Sequence, residues 1–215
     1  MSSEIASKPR RKGNTKKGRI ERLRKPISFL AAATLIFLLV FVEPREAHTL
    51  PKELLKLVGF FLVFTGALGR ILCTLYIGGR KNKELCQSSI YGMCRNPLYF
   101  FSFLGLTGIC LASQNLTLTL LACTLFLILY RAVIRSEEKK LLGVFPDDFP
   151  NYERNVPRFW PRSFAIKDSQ ILQVNTKIFM SSLSEVLWFL AALIAVEGIG
   201  ILRSHGMIHT VLSWY

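Results

Sequence analysis

The chain has 215 residues, 51% of them apolar or aromatic, and a formal net charge of +14. A soluble core of that length cannot hide so much apolar surface. The charges are also segregated: Asn96 to Tyr130 contains no Asp, Glu, Lys or Arg, whereas residues 1–26 hold ten Lys or Arg against two Glu. This excludes a secreted disulfide scaffold, a coiled coil and a dedicated DNA-binding domain, and predicts an all-α polytopic transmembrane bundle of about five spans.

Residues 1–25 form a basic tail, expected to be disordered at least to Gly18, whose cations hold the N-terminus in the cytoplasm and favour anionic lipid. No aromatic residue is interleaved with them to stack on bases, so no nucleic-acid partner is expected. No small-residue cleavage site follows the apolar run, which argues against a signal peptide. The first span is predicted at Pro26 to Val42, stopped by Glu43-Pro44, and the second at about Leu54 to Gly78, interrupted by Arg70. The long charge-free run would make one helix of roughly 50 Å, too long for a single crossing. Ser113-Gln114-Asn115 therefore splits it into a hairpin, Pro97 to Ala112 and Leu116 to Arg135, whose ends return to one face. A fifth apolar stretch, Ile178 to Leu202, either crosses or lies in the interface. Counting from a cytoplasmic N-terminus puts Arg80 to Arg95 and Arg131 to Lys167 inside, in agreement with the charge bias. The expected organisation is a tail (1–25), a membrane core (26–170) and an additional C-terminal span with a short tail (171–215).

Five cysteines without a CxxC pair read as small apolar residues in a reduced or membrane setting. His205 and His209 are four apart, but no carboxylate or Cys follows nearby, so no metal is expected. The sequon at Asn115 lies too close to the bilayer for glycosylation.

Polar chemistry concentrates in two segments that the hairpin brings together. The first is Tyr91-Gly92-Met93-Cys94-Arg95-Asn96-Pro97-Leu98-Tyr99, where Pro97 suits a first helical turn. The second, Arg131 through Glu138, places Arg131, Arg135 and Glu138 at i, i+4, i+7 spacing. Taken alone, Arg135 with Glu137 and Glu138 reads as a solvated ion-pair collar. A third segment, FPDDFPNYERNVPRFWP from Phe145 to Pro161, adds aromatic residues among four prolines that break any long helix.

In order and spacing, Arg95-Asn96-Pro97-Leu98-Tyr99, then Arg135-Ser136-Glu137-Glu138-Lys139-Lys140-Leu141, then Tyr152 and Val156-Pro157 resemble the integral membrane methyltransferases typified by isoprenylcysteine carboxyl methyltransferase, with phospholipid N-methyltransferases as relatives. The resemblance spans roughly Arg70 to Pro161. It departs from the family pattern at Ser89, where many members have Gly, at Asn96, where the isoprenylcysteine enzymes have His, and at Pro146, where the loop often has Gly.

The resemblance implies S-adenosylmethionine as cofactor, with Tyr99, Arg135, Glu138 and Val156-Pro157 near it. Glu137 or Glu138 suits the ammonium, Arg131 or Arg135 the carboxylate, and Tyr152 with Phe149 the adenine or ribose. Gly105 and Gly108 stand for the family's glycine element, with close helix packing as the alternative. Arg95 is the first candidate to orient the acceptor, and Arg70 the second. The acceptor implied is hydrophobic and lipid-like, entering from the bilayer. Two other readings are a sterol-reductase-like enzyme using NADPH and a non-catalytic membrane protein or small transporter.

Overall fold

The computed structural model describes residues 34, 36–44, 50–78, 84–163, 176–207 and 212–214. The basic tail and most of the first span lie outside them, although residues 36–41 are helical. The described helices are α1 (Leu50–Ile77), α2 (Ile90–Met93), α3 (Pro97–Ala112), α4 (Leu116–Val144), α5 (Phe149–Asn155) and α6 (Thr176–Ser204). Two three-residue strands, β1 (Val42–Pro44) and β2 (Leu212–Trp214), pair in parallel, with Val42 opposite Leu212.

The chain is an all-α membrane bundle. α1, α4 and α6 are each long and apolar enough to cross a bilayer. α3 is shorter, about 24 Å by its length. Its companion α4 begins immediately after the polar turn: Asn115 caps it by accepting a hydrogen bond from Leu118 N at 2.8 Å. α4 then runs nine residues beyond the predicted Arg135, because nothing before Phe145-Pro146 breaks it.

α1 and α3 form the most extensive helix pair. Glycines make this approach possible: a Cβ on Gly59 would lie 2.7 Å from Gly108 O, and one on Gly108 2.5 Å from Gly59 O. Small residues at a membrane helix seam let backbones approach closely.

α6 runs antiparallel to α1 along the length of the bundle. A Cβ on Gly78 would touch Ile178 at 3.7 Å, and at the other end Lys56 Nζ lies 2.6 Å from Glu197 Oε2. α6 thus lies alongside another helix that is long and apolar enough to cross. At the Glu197 end, Arg203 donates to the carbonyls of Leu39, Val40 (2.9 Å) and Val42 (3.0 Å), satisfying groups left open where the first helix stops. Gln114 Nε2 donates to Glu53 Oε1 at 3.0 Å, which places the α3–α4 turn at this same end. Arg95, α5 and Glu138 occupy the opposite end.

Candidate functional site

Asn96 precedes α3 at the N-cap position but does not cap it. Its Nδ2 donates instead to Glu138 Oε1 (3.2 Å) and to the Arg158 carbonyl (3.0 Å). The segment after α5 crosses the one before α3: Arg95 N donates to Pro157 O at 2.8 Å, and Arg162 N to Met93 O at 3.3 Å. The three motif segments therefore meet as one layer.

At its centre is a buried ionic network. Glu138 Oε1 lies 3.3 Å from Arg95 Nε, and Glu138 Oε2 accepts from Arg158 Nε at 2.9 Å. Arg95 Nη1 lies 2.8 Å from Glu153 Oε1. Glu138 and Arg95 side chains are 7% and 6% exposed, whereas Glu153 and Arg158 are 45% and 43% exposed, so the network has a dry side and an open side. Arg95 Nε and Nη1 are buried at ion-pair distance yet make no aligned hydrogen bond. A buried guanidinium in that state retains capacity for a further acceptor.

Tyr99 OH donates to Glu137 Oε1 at 2.8 Å and fixes the second carboxylate. Around it stand aromatic rings: Tyr130 stacks on Phe126 at 4.0 Å and meets Tyr99 at 5.1 Å, and Phe103 contacts Phe159 and Trp160. Trp160 is 58% exposed.

Tyr152 is buried and its hydroxyl donates to Tyr91 O at 2.7 Å, locking α5 onto α2. Burial pushes the Tyr152 and Tyr91 phenols well above their ordinary values, so both stay protonated donors. Burial likewise pushes the Cys94 thiol up to about 12, making it a poor nucleophile at neutral pH. Ser89, before α2, has φ 54° and ψ −125°, a conformation that favours glycine, and its buried Oγ has no hydrogen-bond partner.

The structure brings Arg95, Tyr99, Glu137, Glu138, Val156 and Pro157 to one layer, with Tyr152 supporting it from behind. The spacing of Arg131, Arg135 and Glu138 predicted one shared face, but Arg131 and Arg135 are exposed while Glu138 is buried. The expected collar is replaced by pairing across the bundle, because Arg95 reaches the carboxylate from the dry side and Arg158 from the open side. Gly105 and Gly108 belong to packing: a Cβ on Gly105 would strike the Phe189 ring at 2.2 Å, so protein fills the space a ligand would need. Arg70 lies on the α1–α6 side of α3, donating to Ser102 Oγ with its guanidinium 5.7 Å from the Phe189 ring centre. It faces protein there rather than the Arg95 network. Glu153 and Arg158 were missed by the sequence reading, although Arg158 follows the Val156-Pro157 element directly. His209 lies outside the described residues. Among those described, no group of three or more His, Cys, Asp or Glu is arranged to hold a metal ion.

A phospholipid methyltransferase family model matches residues 54–148, from α1 through the buried Glu138 to the turn before α5. The chain belongs to this family. It is 32% identical over 195 residues to the cobalt-zinc-cadmium resistance protein CzcN of Cupriavidus metallidurans, covering 91% of this chain and 88% of that protein. It is 36% identical over 146 residues to the nickel-cobalt-cadmium resistance protein NccN of Alcaligenes xylosoxydans xylosoxydans, covering 68% of each. No solved structure matches the chain. Glu153 and Arg158 lie beyond the family match, so the open side of the network comes from sequence the family model does not span.

Proposed function

We propose that this integral membrane protein is an S-adenosylmethionine-dependent methyltransferase acting on a hydrophobic, lipid-like acceptor, with its site facing the cytoplasm. The observation that carries the reading is the buried Glu138 bridging Arg95 and Arg158 across three motif segments. The donor set fits the cofactor's zwitterionic end. Arg158 on the open side suits a carboxylate, Glu137 and Glu153 suit an ammonium, and the rings of Tyr99, Phe159 and Trp160 suit a flat base. When bound, the sulfonium supplies an activated methyl group for in-line displacement, without need of a metal.

The chain's own residues then position and exclude water. Glu138 touches two arginines and Asn96, so it holds the layer in register. Arg95, beside the start of α3, orients the acceptor's polar head while its tail stays among the helices. Alignment of this kind supplies much of the acceleration in a displacement reaction. The names of CzcN and NccN connect those proteins with metal resistance, and we place the modified acceptor in the same physiological setting.

Labelled methyl donor incubated with the purified protein and a membrane lipid extract tests the reading. Transfer into the lipid fraction is expected. Arg95→Lys should lower turnover much more than cofactor affinity, because an ammonium does not reproduce the planar bidentate contact. Loss of affinity in proportion to turnover would move Arg95 into the cofactor shell, and no transfer by the wild type would contradict the assignment.

A further inference from the structure

The outward face of α4 changes character along its length. Leu120 (70% exposed), Ile128 (64%), Arg131, Arg135 and Lys139 follow one another at three-, four- and eight-residue steps on exposed positions. Helical geometry makes this one stripe, apolar at Leu120 and Ile128 with Thr124 between them, and cationic from Arg131 onward. The acids nearest in sequence are engaged elsewhere: Glu137 is held by Tyr99, and Glu138 by Arg95 and Arg158. The three cations are therefore not neutralised from their own helix.

We propose that this stripe binds an anionic phospholipid of the adjacent leaflet, acyl chain along Leu120 and Ile128, phosphate between Arg131 and Arg135. The two arginines lie one turn apart, about 6 Å along the axis, within a headgroup layer of about 5–7 Å. Guanidinium groups suit phosphate through bidentate hydrogen bonds. Lys139, one turn further out, adds charge attraction to a negatively charged surface. The stripe is distinct from the Glu138 network in its exposure: Arg131, Arg135 and Lys139 are exposed, whereas Glu138 is buried. It does not depend on the methyl-transfer reading.

The test is thermal unfolding of the full-length protein in neutral detergent with added short-chain phosphatidylglycerol, phosphatidylcholine or soluble glycerophosphoglycerol. Phosphatidylglycerol should raise the wild-type midpoint more than phosphatidylcholine does, and the soluble headgroup should have no effect. In the double variant Arg131→Gln, Arg135→Gln at least half of that selective increment should disappear. The basic tail is common to both proteins, so the difference reports α4. A charge-preserving Arg131→Lys, Arg135→Lys variant guards against misfolding and should keep part of the increment. A full increment in the Gln variant, or an equal effect of the soluble headgroup, would overturn the proposal.

Discussion

Arg95 Nε lies 3.3 Å from Glu138 Oε1, joining the residue outside the first turn of α3 to the protruding half of α4. Both side chains are nearly fully buried, and Arg158 approaches the same carboxylate from the exposed side. A carboxylate so placed is worth most for what its removal leaves behind: a buried guanidinium whose remaining counter-charge is the half-exposed Glu153.

Glu138→Gln keeps an acceptor for Asn96 but leaves Arg95 only Glu153 as counter-charge. Its unfolding free energy should fall by about 3 kcal/mol, and its cofactor affinity by tenfold or more, whereas Glu137→Gln should spare stability. Denaturation and calorimetry on both variants check this. Unchanged stability in Glu138→Gln would mean the network carries no structural energy.

Ser89 occupies a backbone conformation that costs an L-residue about 1–3 kcal/mol, and it buries an unpartnered hydroxyl. Ser89→Gly removes both penalties at the expense of a more flexible unfolded chain. A net stabilisation of about 1 kcal/mol is expected. A lower melting midpoint for the Gly variant would contradict this account of the turn.

Alkaline pH tests the dry packing of Cys94. Its thiol is raised from 9.0 to about 12 by burial, so above pH 9 the unfolded chain loses its proton first and the folded state binds more protons. Stability is thus present below pH 9 and declines as pH rises from there towards the folded value, by up to about 1.4 kcal/mol per unit. Tyr91 and Tyr152 add to the decline above pH 10. Cys94→Ala should flatten the slope between pH 9 and 10, and identical slopes in variant and wild type would show the thiol to be solvated.

Much of the bundle was legible because it is written in local signals. Ser113-Gln114-Asn115 marks the hairpin turn, Pro97 opens α3, and Phe145-Pro146 ends α4. The partners of Glu138 were not legible. Arg135 is close in sequence and Arg158 is twenty residues away, and spacing on one helix says nothing about which side chain a folded-back loop delivers. Gly105 and Gly108 carried two meanings that only their neighbours distinguish: Gly59 and Phe189 occupy the space beside them. Ser89 was visible as a departure from the family's glycine, but its φ of 54° supplies the reason that glycine suits the position.

The central claim is that the layer organised by Glu138 binds S-adenosylmethionine. Isothermal titration of the purified full-length protein with S-adenosylmethionine, S-adenosylhomocysteine and NADPH addresses it most directly. Saturable binding of the first two, weakened at least tenfold in Glu138→Gln, with no binding of NADPH, is the predicted result. Binding of NADPH alone, or of none of the three to folded protein, would contradict it.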